Sequence, residues 1–296
     1  MSTDQVIPPP ATALPLPPPY DRPDWDAIHE TITCPLCGYE LRGLTDPLCP
    51  ECGYRFHWPD LLDPTRRVHP WLFEHHPRHN LWSFAKTLVR NFQPGKFWTH
   101  LHPGQPSKPK RLVMYWVPGA VLTMLPAAIL LFDHWQTNRP WFATAPGSLS
   151  VLSQLLQHDN AVRGALFACL LAALFPWTTF LTLLIFQQSM GRAKIKTHHV
   201  LRCAVYSGDV ILWAGLLGSG AVFWWVLQPW RWRVDDRVMM MLIFIAAAAI
   251  LLNLGRLVSA YRNYLKFDHA TATVLVAQLI VLLASMTLFI EAIEFL

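Results

Sequence analysis

The chain has 296 residues, is 53% hydrophobic and only 15% charged, against about 25% charged residues in an ordinary soluble domain. Its net charge of +5 is spread thinly, with no run of five like charges, which argues against nucleic acid as a main partner. The average hides two regimes that meet near Arg111: a polar half rich in Pro and His, then long apolar runs.

Residues 1–30 are proline-rich and include Pro8-Pro9-Pro10 and Pro17-Pro18-Pro19. Such a segment favours extended polyproline II and is expected to be disordered. It has neither a basic start nor an apolar stretch of secretory-signal length, so the first membrane helix is expected to direct insertion.

Residues 31–58 carry the strongest local signal. Cys34-Pro-Leu-Cys37-Gly38-Tyr39 is followed, with eleven residues between Cys37 and Cys49, by Cys49-Pro-Glu-Cys52-Gly53-Tyr54. Two C-x-x-C knuckles at this separation place four thiolates at the corners of a tetrahedron. Glycine after each second cysteine lets the turn aim backbone N–H groups at the sulfurs. The expected module is a small β zinc ribbon with Cys34, Cys37, Cys49 and Cys52 as ligands. A module this small has little core, so metal would supply most of its folding free energy, on the order of 10 kcal/mol. Four thiolates also suit iron. The knuckles are similar to rubredoxin-like iron modules attached to di-iron proteins, but the Glu-x-x-His motif of those partners is absent from this chain, which favours zinc. The loop 39–48 holds Arg42 as its one base, too little charge for DNA. Cys169 and Cys203 fall in or beside apolar runs and read as small core residues.

Residues 59–111 form a His-rich linker. His69, His75, His76 and His79 sit close together, but Pro70 and Pro77 break the helical spacing a metal pair needs, so they read as surface histidines near lipid headgroups. Asn80 is expected to cap an amphipathic helix over 81–92, with Leu81, Phe84, Ala85, Leu88 and Phe92 on one face and Lys86 and Arg90 off it. That pattern suits a helix lying in the membrane interface or packing on the ribbon.

Five segments are long and apolar enough to cross a roughly 30 Å hydrocarbon core: about 112–132, 164–186, 203–227, 238–254 and 270–290. The fourth is short and is expected to extend to Val258, with Arg256 snorkelling toward the headgroups. Trp116, Trp224, Trp225, Trp230 and Trp232 mark the interfaces. Lys108, Lys110 and Arg111, then Arg192, Lys194 and Lys196, then Arg256, Arg262 and Lys266 share one side, and every lysine of the chain falls there. The positive-inside rule makes that side cytoplasmic, with the N-terminus inside and the C-terminus outside. The loop with Arg231, Arg233 and Arg237 is the dissenting one, diluted by Asp235 and Asp236.

Arg202, Asp209 and Gln278 are the candidate polar site in or beside the spans. Arg202 and Asp209, seven residues apart on one helical face, read as an ion pair near the cytoplasmic end of span three, or alternatively as an ion or proton site. Gln278 in span five reads as an interhelical hydrogen bond. Gly215, Gly218, Gly220 and the alanines 246–249 allow close helix packing. No zinc-protease, nucleophile-elbow or phosphate-loop motif is present.

The stretch Cys34-Pro-Leu-Cys37-Gly-Tyr-Glu-Leu-Arg-Gly-Leu44, closing with Cys49-Pro-Glu-Cys52-Gly53, resembles an N-terminal zinc-ribbon signature of bacterial membrane proteins. The remainder resembles the Yip1-type five-span domain, through its span count, Trp98 before span one, and Val205-Tyr206-Ser207 in span three. That resemblance implies a non-enzymatic membrane protein concerned with partner recruitment. The fold class expected is an all-α bundle of five transmembrane helices preceded by the ribbon. The leading function is a membrane adaptor or scaffold; a transporter or channel component with a regulatory ribbon and an iron electron-transfer module are the alternatives. Expected partners are the lipid bilayer, a protein at the cytoplasmic face and, in a homo-oligomer, further copies of the chain.

Overall fold

The computed structural model describes residues 23–142, 160–189, 195–228, 236–267 and 269–295. The proline-rich stretch up to residue 22, Arg192 and Lys194, and Trp230, Arg231, Trp232, Arg233 and Asp235 lie outside the described residues.

The N-terminal half holds only short elements: α1 (Trp58–Leu62), a 3-10 turn (Pro64–Arg67), α2 (Asn80–Arg90) and α3 (Pro94–His100). Proline at the first turn of α1 and of α3 fits, because its missing N–H would have no helical partner there. The membrane half holds α4 (Pro109–Phe142), α5 (Asn160–Ser189), α6 (Thr197–Ser207), α7 (Val210–Val226), α8 (Asp236–Ser259), a π-helical turn (Ala260–Tyr264) and α9 (Ala270–Phe295).

Five stretches meet the length and apolarity of a membrane span: Pro109–Thr137, Arg163–Phe186, Thr197–Val226, Val238–Tyr264 and Ala270–Ala292. The helices close into a ring. α7 packs on α4, α4 on α5, α5 on α9, and α9 returns against α8, which packs on α7. Half of the third span's most apolar window is buried, against 11% of the fourth's, so span three is the most enclosed and span four the most outward-facing.

Span three is not one straight helix. It breaks at Gly208-Asp209, where the amides of Ile211 and Leu212 bond back only three residues. A Cβ on Gly208 would stand 2.6 Å from Pro176 Cγ of α5, so only glycine lets the two helices approach here. Pro176 itself sits inside its helix, where it removes one backbone donor, so both irregularities lie together. Higher up, a Cβ on Gly215 would stand 2.6 Å from the backbone of Leu122, which marks the tight crossing of α7 and α4.

Three expectations change. The ribbon has no strand among the described residues: its pairing is limited to single bridges, Thr33 with Glu40 and Leu48 with Arg55. Each knuckle turns back within a few residues and leaves no room for a ladder. Asn80 does not cap α2 but begins it; His79 holds the cap position without a side-chain bond. The fourth span runs on to Tyr264, and Arg256 does not snorkel: it is 3% exposed and points into the bundle.

Candidate metal centre and the polar seam beneath it

The two knuckles are built alike. The Cys34 amide bonds Tyr39 O and the Gly38 amide bonds Cys34 O; the Cys49 amide bonds Tyr54 O and the Gly53 amide bonds Cys49 O. Gly38 (φ +83°) and Gly53 (φ +70°) take the left-handed conformation that closes each turn. This brings the four Sγ atoms within 4.8 Å of one another. Cys34–Cys52 and Cys37–Cys49 are 3.7 and 3.6 Å apart, far longer than a disulfide, and all four cysteines are free. A tetrahedron with metal–sulfur bonds of about 2.3 Å has edges of ~3.8 Å, so the cluster has the size of a four-thiolate metal site.

The electrostatics agree. The Cys52 hydrogen bond draws Cys34 down to about 5 against the opposing effect of burial, with amides of Cys37 and Leu36 helping. Burial pushes Cys37 up to about 11, and Cys52 is pushed up by its bond to Cys34 and by burial. Without a cation Cys37 and Cys52 hold their protons; a bound metal would supply the charge that frees them as thiolates.

The module does not hang free. The carbonyls of its first knuckle face the start of span three: Leu36 O accepts the Lys196 amide at 2.8 Å, and Pro35 O lies 3.0 Å from His199 Nε2. A carbonyl only accepts, so Nε2 carries the proton and Nδ1 accepts from Tyr264 OH at 2.7 Å. Leu36 and Leu41 of the module share one continuous core with Trp98, Tyr206 and Tyr264.

Below that contact lies Arg202, fully buried. Nε and one terminal nitrogen bind the two oxygens of Glu74 at 2.9 and 3.1 Å. Its other donors reach Gln105 O (3.2 Å), Pro106 O (3.0 Å) and Tyr264 OH (2.9 Å). All five N–H donors are thus placed. Glu74 also accepts the Lys108 amide at 2.8 Å and Ser107 Oγ at 3.2 Å. Burial acts to raise the Glu74 pKa, but the Arg202 charge and these bonds prevail and hold it below the usual carboxylate value.

Asp209 forms a second buried pair, with Arg256 of span four. Its other oxygen accepts Asn91 Nδ2 and Tyr115 OH, each at 2.8 Å. Arg202 and Asp209 therefore do not pair with each other. Each takes a partner from another element, because seven residues along a helix separate them by about 10.5 Å, beyond ion-pair distance. Gln278 Nε2 donates to Thr179 Oγ1 of α5 at 3.2 Å.

His69, His75 and His76 are part of this seam rather than a surface cluster, whereas His79 stays exposed as expected. His75 Nδ1 accepts the His69 amide at 2.7 Å, and Nε2 donates to Pro106 O at 3.0 Å. His76 Nε2 donates to His69 O at 2.7 Å. Burial drives His69 down to about 3 and His75 down to about 4, so both are neutral.

Glu74, His199, Tyr264, Asn91 and Tyr115 escaped the sequence reading. Glu74 had a signal: it is the one acidic residue between Asp63 and Asp133. An isolated acid ahead of a basic segment points to a buried partner. The others had none, since their role depends on which helices meet.

No family model, no curated protein and no solved structure matches this chain. Two cavities, 510 Å³ beside Val210, Leu217, Met240 and Phe244, and 330 Å³ beside Leu125, Phe132 and Phe223, are apolar grooves opening outward between helices. The cavity at Asp209 is about 10 Å³, the space of a single water.

Proposed function

We propose that this protein is a non-enzymatic membrane scaffold, with zinc held by Cys34, Cys37, Cys49 and Cys52 in a cytoplasmic cap over a five-span bundle. The observation that carries this is the rigid attachment of the cap: Pro35 O and Leu36 O are bonded to His199 and Lys196 at the mouth of span three. A module fastened in this way presents a fixed outer face, with Tyr39, Arg42, Leu48 and Arg55 exposed. The buried charges support the same reading, since Arg202 and Asp209 are saturated by protein partners. The Yip1-type resemblance, which stands on the span count, Trp98 and Val205-Tyr206-Ser207, points the same way, to recruitment rather than turnover.

The test has two arms. Metal analysis of protein grown with zinc and iron together should find one zinc per chain, lost in Cys34→Ser. A photo-crosslinker at Tyr39 in living cells should join the chain to a defined partner, and the adduct should vanish in Cys34→Ser. Iron with a thiolate charge-transfer band would replace the scaffold by an electron-transfer module. Ion flux in liposomes that Asp209→Asn abolishes, with assembly intact, would replace it by a transporter.

A further inference from the structure

Helix α2 is built inside out. The face it turns to the protein carries Ser83, Thr87 and Asn91 beside Leu88, all buried. Thr87 Oγ1 accepts the Phe73 amide at 3.0 Å and donates to Trp71 O at 3.4 Å, while Asn91 reaches Asp209. The opposite face exposes Leu81 (87%), Val89 (63%), Phe92 (53%) and Trp82 (48%). At 3.6 residues per turn Leu81, Trp82, Ala85 and Val89 fall on one stripe about 100° wide, and Phe92 lies just past the end of the helix. Sequence periodicity alone places Phe84 and Leu88 on the outer stripe; they turn inward instead, toward Tyr115 and Gly208, and Trp82 and Val89 turn out.

A helix in water points its apolar stripe at the core. This one hides hydroxyls and an amide and offers leucine, valine and two aromatic rings to its surroundings. The stripe continues into the lipid-facing side of the bundle: the Phe92 ring stacks 5.1 Å from Trp213 of α7, and Leu216 and Leu217 beyond it are about half exposed. Charge points the same way. Arg78, Lys86, Arg90, Lys96, Lys108, Lys110 and Arg111 fall between His75 and the first span, with no acid among them. Lys86 stands 5.4 Å over the Trp82 ring, at the edge of the stripe.

We propose that α2 lies in the headgroup layer of an anionic phospholipid bilayer. Leu81, Trp82, Val89 and Phe92 sit among the upper acyl carbons, and Lys86 and Arg90 meet the phosphates. Through Asn91 the anchor is bonded to the Asp209 pair, so it sets the height of spans three and four in the membrane. This inference does not depend on the scaffold reading.

The full chain is placed in nanodiscs of phosphatidylcholine, with or without phosphatidylglycerol, doped with a phospholipid bearing a diazirine high in its acyl chain. After irradiation, labelled peptides are mapped by mass spectrometry. Residues 79–92 should be labelled as heavily as the spans, and several-fold above residues 43–55 of the cap. The double variant Leu81→Asp/Val89→Asp should lose this label while keeping its metal. Lys86→Gln/Arg90→Gln should lower the label in discs with phosphatidylglycerol to the level seen in phosphatidylcholine alone, and leave the latter unchanged. Label at the level of the cap in wild type would overturn the proposal, as would crosslinks joining 79–92 to a second copy of the chain. Equal labelling of wild type in the two lipids would remove the anionic preference.

Discussion

Residues 23–67 fold around four sulfurs and a few aromatic rings, with Trp25 edge-on to Trp58 and Phe56 edge-on to Trp58. The five spans instead leave Leu216, Phe244, Leu251 and Leu283 facing outward, each about half exposed or more. The cap has the few apolar side chains of a small module and four thiolates that a metal would hold together; the bundle has apolar surface to spare, in lengths that a bilayer would cover. Between them lies a third solution, a seam of buried charge and aromatic rings. Trp98 lies 5.6 Å from Tyr264 and 6.4 Å from Tyr206, which lies 5.0 Å from Tyr115. Two bodies with different sources of stability are thus joined by groups that neither could bury alone.

The sharpest way to break this contrast is Cys34→Ser. Losing a thiolate should remove about 10 kcal/mol of metal-linked stability from the cap while leaving the helices, whose backbone bonds are internal. Limited proteolysis should then cut at Arg42 and Arg55, with circular dichroism nearly unchanged. Parallel loss of helix signal would show that the bundle depends on the cap.

Next comes the seam. Glu74→Ala leaves Arg202 buried and unpaired, which should cost about 3–5 kcal/mol. Thermal unfolding of the full chain in nanodiscs would show it. Glu74→Leu with Arg202→Met should recover most of that loss, because removing both charges also removes their desolvation penalty. A double variant as damaged as the single one would mean that the pair holds more than itself.

Acid should act at the same place. His75 is held neutral with its pKa depressed to about 4. Between the ordinary histidine value near 6.5 and about 4, the unfolded chain binds a proton that the folded chain refuses. Stability is therefore full above pH 6.5 and falls on acidification, by about 2 kcal/mol from His75 alone at pH 5. His75→Asn keeps an acceptor for the His69 amide and should flatten that part of the pH profile, as read by hydrogen exchange of residues 69–75.

The smallest effect is expected from His199→Phe. For the cap it removes only the bond to Pro35 O, worth about 1 kcal/mol, while in the seam Tyr264 OH also loses its acceptor; the bulk of the ring is kept. Exchange at residues 34–38 should rise a few-fold with metal content unchanged. A loss of metal here would show that docking helps to build the site.

Sequence alone carried the repeating units. Five apolar lengths are legible because a bilayer imposes one dimension on every span, and the cysteine quartet because tetrahedral ligation imposes one spacing on each knuckle. Glycine after each second cysteine told how the knuckles close, because the left-handed turn excludes most other residues. What sequence could not carry was partnership. Arg202 and Asp209 look like neighbours at seven residues apart, yet Glu74 and Arg256 claim them from 128 and 47 positions away. The outward face of α2 is likewise ambiguous on a helical wheel, where Phe84 and Leu88 sit beside Leu81 and Ala85. Periodicity says which residues share a stripe. Which stripe meets protein and which meets lipid was decided only when Asp209 required Asn91 and the Trp71–Phe73 backbone required Thr87, since a buried polar group must find its partner wherever the fold brings one.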